Sequence, residues 1–97
     1  MSTTFEVAHF SEQGQQVIVV FVSRSFGQKT TAQQNEICAN LQACATDAGL
    51  AGTVVPVWDN GGGRTGFLAP RPWHRFFQSV PMATLAANVN RKLTCNW

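Results

Sequence analysis

The last part of the chain has no acidic side chain. Residues 60–97 contain neither Asp nor Glu but carry five cations, whereas residues 1–59 carry all five carboxylates and only two cations. The formal charge is therefore −3 up to residue 59 and +5 beyond it, which the overall charge of +2 conceals. Such an asymmetry can mark a surface that meets an anion, and it can also be a by-product of a short chain with few charges.

Charged residues of any kind are scarce. They make up 12% of the 97 residues, while 44% are hydrophobic; the usual charged share is about 25%. A chain of this length predicts one domain, covering residues 1–97. Because so few charges leave little well-solvated surface, we expect a homo-oligomer, most simply a dimer, to cover part of the apolar excess.

The sequence also lacks the patterns of disulfide frameworks, metal sites and membrane or export segments. Cys38, Cys44 and Cys95 are an odd number without a C-x-x-C pair, which argues against both a disulfide framework and a zinc site. The N-terminus lacks the cationic start and apolar run of a signal peptide, and the longest apolar run, 17–22, is far too short to cross a membrane. We therefore predict a cytoplasmic protein, most simply bacterial, without metal or cofactor.

Apolar runs predict four β-strands, at residues 5–10, 16–23, 53–58 and 65–69. The first two are close enough in sequence to form a hairpin, and the second is apolar on both faces. Together with the helices, the order is ββαββα. The predicted fold is α+β, with a mostly antiparallel four-stranded sheet and helices packed on one face. The other face of this sheet is then left for a second subunit to cover.

Helical spacing of apolar residues predicts the helices. The first spans about 32–48, with Thr31 as N-cap and Gln34 completing a capping box. One or two helical turns are expected near 73–79. A last helix is expected over 81–93, with an apolar stripe on one side and two cations at its C-terminal end.

A glycine-rich stretch, 61–66, matches the dinucleotide fingerprint G-x-G-x-x-G but lacks the context that the fingerprint needs. A strand and a proline follow it instead of a helix, and no acidic residue lies downstream to hold a ribose. The Lys-Ser/Thr pair of a P-loop is missing too. We interpret the stretch as a hairpin tip whose backbone N–H groups, next to Arg64, can face a phosphate or carboxylate.

Arginines and aromatic residues alternate after this tip, and the segment from Asp59 to Phe77 is the predicted contact surface. Its candidate ligand-binding or partner-binding residues are Arg64, Arg71, Trp73, His74 and Arg75. Because no carboxylate occurs beyond Asp59 to repel an anion, an anionic small molecule or a partly acidic protein partner is favoured. The alternative is that Phe67, Phe76 and Phe77 belong to the core or to a homo-oligomer interface, and that the arginines only keep the protein in solution.

Two other functions compete with a binding role. Single-stranded nucleic acid is a possible ligand, because aromatic faces stack bases and arginines hold phosphates. It is not favoured, since no established RNA- or DNA-binding motif is present. A small hydrolase or transferase would use His74 or His9 with a thiol or carboxylate beside it. No pair of residues is spaced for that chemistry in the sequence. A non-enzymatic binding protein is the prediction.

Overall fold

The sheet has five strands rather than the four that the sequence predicts. The structure, a computed structural model, describes residues 2–62 and 64–96. Its strands are β1 (Ser2–Glu12), β2 (Gln15–Phe21), β3 (Thr53–Asp59), β4 (Thr65–Phe67) and β5 (Arg91–Asn96). Its helices are α1 (Thr31–Asp47), α2 (His74–Ser79) and α3 (Met82–Ala87), with two 3-10 segments, Arg24–Gln28 and Arg71–Trp73.

The strand order is β4-β3-β2-β1-β5, and the sheet is mixed. β2 and β3 are parallel and joined by α1, whereas the other neighbouring pairs are antiparallel. The predicted hairpin of β1 and β2 is present, with Gln13 and Gly14 both at positive φ in its two-residue turn. The α+β class is confirmed, while the four-stranded sheet and the ββαββα order match the structure only roughly.

Helices cover both faces of the sheet, which corrects the prediction that they pack on one face. α1 covers a first cluster of buried residues, which contains Val7, Ile18, Val20, Leu41, Ala45, Val54, Leu93 and Cys95. The Arg71–Trp73 segment, α2 and α3 cover a second cluster, which contains Ala8, Val17, Val19, Val55, Val57, Trp73, Phe77 and Leu85. The chain therefore covers its own second face, and the reason for expecting a second subunit there no longer holds.

The first helix is confirmed, but its N-cap lies one residue earlier than predicted. Thr30 Oγ1 accepts a hydrogen bond from Gln33 N at 3.2 Å, and Thr30 N donates to Gln33 Oε1 at 3.1 Å. The sequence TTAQQ contains two overlapping capping boxes, so local pattern alone does not choose between Thr30 and Thr31. Gln34 is instead used to hold the preceding segment, donating to Phe26 O at 3.0 Å.

The predicted helix over 81–93 is wrong beyond its first turns, since α3 ends at Ala87 and β5 follows. Asn90 directs the chain into the sheet: its side chain accepts from His9 N at 2.9 Å and donates to His9 O at 2.8 Å. Leu93 and Cys95 then alternate with exposed residues and are buried in the first cluster. This alternation with period two is characteristic of a half-buried strand, but it was too short to outweigh the helical stripe.

A disulfide joins Cys44 on α1 to Cys95 on β5, contrary to the expectation from cysteine number. Their Cα atoms are 5.8 Å apart, within the usual range for a disulfide, and 51 positions separate them in sequence. Disulfides persist mainly in oxidising compartments, so the cysteine count no longer supports a cytoplasmic location, which stays a prediction. Among the described residues, no helix has the length and apolar character needed to cross a membrane.

Candidate ligand-binding surface

The glycine-rich stretch forms the tip of the β3–β4 hairpin, as the sequence indicates. Asp59 Oδ1 accepts from Gly61 N at 2.8 Å, and Asn60 N donates to Arg64 O at 3.0 Å. Gly61 and Gly62 adopt φ values of 93° and 61°, which favour glycine. Gly63 lies outside the described residues. Because β4 follows the tip directly, no helix N-terminus is available to hold a pyrophosphate, and the dinucleotide mechanism is excluded here.

Arg24 also lies at this hairpin tip, which sequence reasoning did not identify. Its Nε donates to Asp59 O at 3.2 Å, and its guanidinium lies beside the backbone of Gly61. Arg24 precedes Asp59 by 35 positions, and no local pattern connects the two. The parallel pairing of β2 with β3 brings them together, because Arg24 follows the end of β2 and Asp59 ends β3.

Arg64 lines an open depression of about 420 Å³ between the hairpin tip and the end of α2. The other lining residues are Asn60, Thr65, Phe67, Gln78, Ser79, Val80 and Pro81. Thr65 Oγ1 donates to Val80 O at 2.9 Å, which ties β4 to the residue that follows α2. No carboxylate lines this depression, so the positive charge of Arg64 has no competing anion there.

Arg75 lines a second depression, of about 390 Å³, on the other side of α2. It is lined by Glu12, Gln13, Gln15, Pro72, Trp73, Arg75, Phe76 and Ser79. The prediction that no carboxylate lies near the arginines is therefore wrong for this depression, because the β1–β2 hairpin brings Glu12 to it. The sequence predicts that hairpin but not the strand order or the place of α2 relative to it.

The two depressions adjoin one another, since Ser79 at the end of α2 lines both. Arg71 precedes α2 and lines neither of them. Arg64, Arg71 and Arg75 are all exposed, and none of their side chains has a hydrogen bond or ion pair with any residue that the structure describes. Their positive charges are therefore free to meet a ligand or partner, whereas Arg24 is already engaged.

Of the four Phe and Trp side chains in the segment, those of Trp73 and Phe77 are buried, so Trp73 offers less contact surface than the sequence predicts. Trp73 is 8% exposed and Phe77 1% exposed, both within the second cluster. Their rings pack against each other, with centroids 6.1 Å apart. Phe67 and Phe76 are half-buried and also contact Phe77. Only a small part of Trp73 reaches the Arg75 depression, so stacking of several successive bases has little exposed ring surface to use.

Both histidine rings lie at hydrogen-bond distance from carbonyl oxygens. His74 is exposed, and its Nε2 donates to Ala69 O at 2.8 Å while its ring lies against Phe67. His9 Nε2 lies 2.8 Å from Ala51 O and 3.2 Å from the Gln16 side-chain oxygen. Within the described chain no carboxylate or thiol is hydrogen-bonded to either ring, and neither lines the two depressions. The arrangement therefore shows no nucleophile–base pair.

Cys38 is the free cysteine of the described chain, and its surroundings make it a poor nucleophile. Burial raises the pKa of the Cys38 thiol above its ordinary value, so the thiol stays protonated at neutral pH. Its Sγ lies 3.9 Å from Val54 O, where it packs against the first cluster. Among the residues described, no group of His, Cys, Asp and Glu is arranged to hold a metal ion.

The chain matches no protein-family model, no curated protein and no solved structure. A function must therefore be inferred from its own residues. The arrangement that stands out is the pair of adjoining depressions with the unpaired arginines around them.

Proposed function

We propose that the chain is a small non-enzymatic binding protein. Its contact surface is the arginine segment, defined as residues 59–77, and the ligand or partner protein presents an anionic group to it. The observation that carries this proposal is that Arg64, Arg71 and Arg75 are exposed and unpaired within the described chain. Unpaired guanidiniums bind carboxylates and phosphates in a bidentate geometry, which favours an anion over a neutral ligand.

The Arg64 depression is the better place for the anionic group. Arg64 and the amide side chains of Asn60 and Gln78 supply hydrogen-bond donors there, and no carboxylate shares the lining. At the Arg75 depression, by contrast, Glu12 weakens the attraction for a simple anion. Arg71, three residues before α2, and His74, its first residue, are also exposed and extend the polar contact area for a larger partner.

Self-association remains a prediction that rests on composition alone. The low charged fraction favours it, while the coverage of both sheet faces by the chain's own helices removes the structural reason for it. The binding proposal needs only one copy of the chain, because both depressions are lined by residues of a single molecule.

The proposal is tested by removing the positive charges of the arginine segment and comparing the loss of binding with the loss caused by removing positive charges elsewhere on the chain. The variant R64Q/R71Q/R75Q is expected to bind inorganic pyrophosphate or a polyglutamate peptide at least about tenfold more weakly than the unmodified chain, measured by isothermal titration calorimetry. The matched control is K29Q/R91Q/K92Q, which also removes three exposed cations, two of them from β5, the edge strand farthest from β4.

An equal loss in the control would mean that only net charge matters, and the arginine segment would have no special role. Urea unfolding of each variant must give an unchanged midpoint, because a loss of stability would place the arginines in structural roles. A single-stranded oligonucleotide serves as a further probe. If it binds more tightly than both acidic probes, with an affinity that falls steeply with salt, the nucleic-acid alternative replaces the proposal.

A further inference from the structure

The Arg75 depression differs in chemistry from the Arg64 depression beside it. It contains one cation, Arg75, and one anion, Glu12, and the two are not ion-paired, although they line the same space. In the described chain Glu12 has no hydrogen bond or ion pair through its side chain. Each charge is thus available to a group of opposite sign on a bound molecule.

The surface around these two charges combines apolar and polar groups. Trp73, Phe76 and Pro72 supply apolar surface, and Gln13 and Gln15 supply amides from the β1–β2 hairpin. Binding sites for small molecules usually combine such apolar walls with a few polar groups that fix orientation. The volume of about 390 Å³ suits a molecule of amino-acid size.

We infer that the Arg75 depression binds a small zwitterion, whose anionic end meets Arg75 and whose cationic end meets Glu12 across an apolar spacer. A simple anion is attracted by Arg75 but repelled by Glu12, and a simple cation is attracted by Glu12 but repelled by Arg75. A molecule that carries both charges satisfies both residues, and its spacer covers the Trp73 and Phe76 surface. The inference deepens the proposed function at one depression, and it rests on that function only in taking the arginine segment as a binding surface.

Glu12 and Arg75 both belong to regular secondary structure rather than to loops. Glu12 is paired with Gln15 across the end of the β1–β2 hairpin, next to its two-residue turn. Arg75 lies on α2, which Phe77 fixes to the second cluster, and Phe76 contacts Phe10 of β1 with ring centroids 6.0 Å apart. α2 and the hairpin are therefore joined by packing, and the fold sets the separation between the backbones of Glu12 and Arg75.

The experiment follows tryptophan fluorescence while a series of amino acids is added. Glycine, γ-aminobutyrate and ε-aminohexanoate vary the distance between the two charges, and hexanoate and hexylamine each carry one charge only. One member of the series is expected to saturate the signal below about 10 mM and to bind at least about tenfold more tightly than either singly charged analogue. Equal binding by hexanoate, stronger binding by methyl glucoside, or no saturation would overturn the inference.

Three variants distinguish this site from general charge attraction. R75Q is expected to weaken the binding of the zwitterion and of hexanoate alike. E12Q is expected to weaken the binding of the zwitterion but to strengthen the binding of hexanoate. A merely structural role for Glu12 would lower both affinities together and contradict the inference. R64Q is expected to leave the affinity for the zwitterion within about twofold of that of the unmodified chain, although it weakens the binding of pyrophosphate. Failure of the zwitterion arm and failure of the pyrophosphate arm are therefore separate outcomes.

Discussion

Replacing both disulfide cysteines, as C44A/C95A, is expected to lower the free energy of unfolding by about 4 kcal/mol. The disulfide closes a loop between residues that are 51 positions apart. In the chain-entropy treatment, a loop of this length restricts the unfolded chain by about that amount. A domain of this size is stable by only about 5–10 kcal/mol in total. Loss of the bond therefore removes a large part of the stability.

The position of the disulfide explains why the effect is large for this fold. β5 is an edge strand that pairs only with β1 in the described sheet. The bond fastens β5 to α1 across the first cluster, where Cys95 is 1% exposed. Without it, the β5 edge and the buried Leu93 are held by β1 pairing and packing alone, and we expect β5 to exchange its amide hydrogens first.

Urea unfolding followed by far-UV circular dichroism measures this effect. All samples carry C38S, so that the free thiol cannot exchange with the disulfide. The oxidised C38S protein is compared with the same protein after reduction and with C38S/C44A/C95A. The reduced protein and the alanine variant are expected to unfold at similar, lower urea concentrations. Identical midpoints for the oxidised and reduced forms would show that the bond contributes nothing to stability.

The substitution G66A is expected to destabilise the protein by about 2–3 kcal/mol. Gly66 lies in β4 directly opposite Trp58 of β3. A Cβ atom built at Gly66 overlaps the indole of Trp58, on the side of its pyrrole nitrogen. Trp58 has little room to move away, because it is 9% exposed and packs against Phe26 with ring centroids 5.0 Å apart. The extra methyl group must therefore displace β4, the hairpin tip or both.

A double-mutant cycle separates this overlap from other effects of the change. W58A removes the whole indole that the new methyl group meets, and by itself is expected to cost about 3–5 kcal/mol. G66A in the W58A background is then expected to be at least about 1 kcal/mol milder than in the unmodified chain. Additive effects in urea unfolding would show that the methyl group and the indole do not compete for the same space.

The first part of the fold follows from the sequence, because its signals are local. The helical stripe over 32–48 and the apolar runs of β1, β2 and β3 each contain enough consecutive residues to fix their type. The hairpin tip at 59–64 is also local, since its glycines and Asp59 determine the turn. These elements were predicted to within a few residues, apart from the longer β1.

The errors come from contacts between residues that are distant in sequence. β5 forms because Leu93 and Cys95 pack into the first cluster. The side chain of Asn90 also hydrogen-bonds the backbone of His9, 81 positions away. β5 also carries Cys95, the disulfide partner of Cys44. Because a helix was expected there, the disulfide was not predicted either. The burial of Trp73 depends on a 3-10 segment whose direction no local pattern specifies.

The candidate site shows the same division between local and distant information. The arginine segment is a prediction from the absence of carboxylates after Asp59, and its three arginines are exposed in the structure. Glu12 and Arg24 come to the site through the order of strands and the parallel pairing of β2 with β3. Strand order depends on the whole core, so neither residue could be placed from its own neighbourhood in the sequence.

The most direct measurement is an NMR titration of the arginine side-chain Nε–Hε signals of the isotope-labelled protein with pyrophosphate. We predict saturable shifts for Arg64, with smaller ones for Arg71 and Arg75, and no saturable shift for Arg91 on the far edge of the sheet. Proportional, non-saturating shifts of every arginine alike would show only diffuse charge attraction. That result, or the absence of any shift at Arg64, would contradict the proposal that the arginine segment is a binding surface.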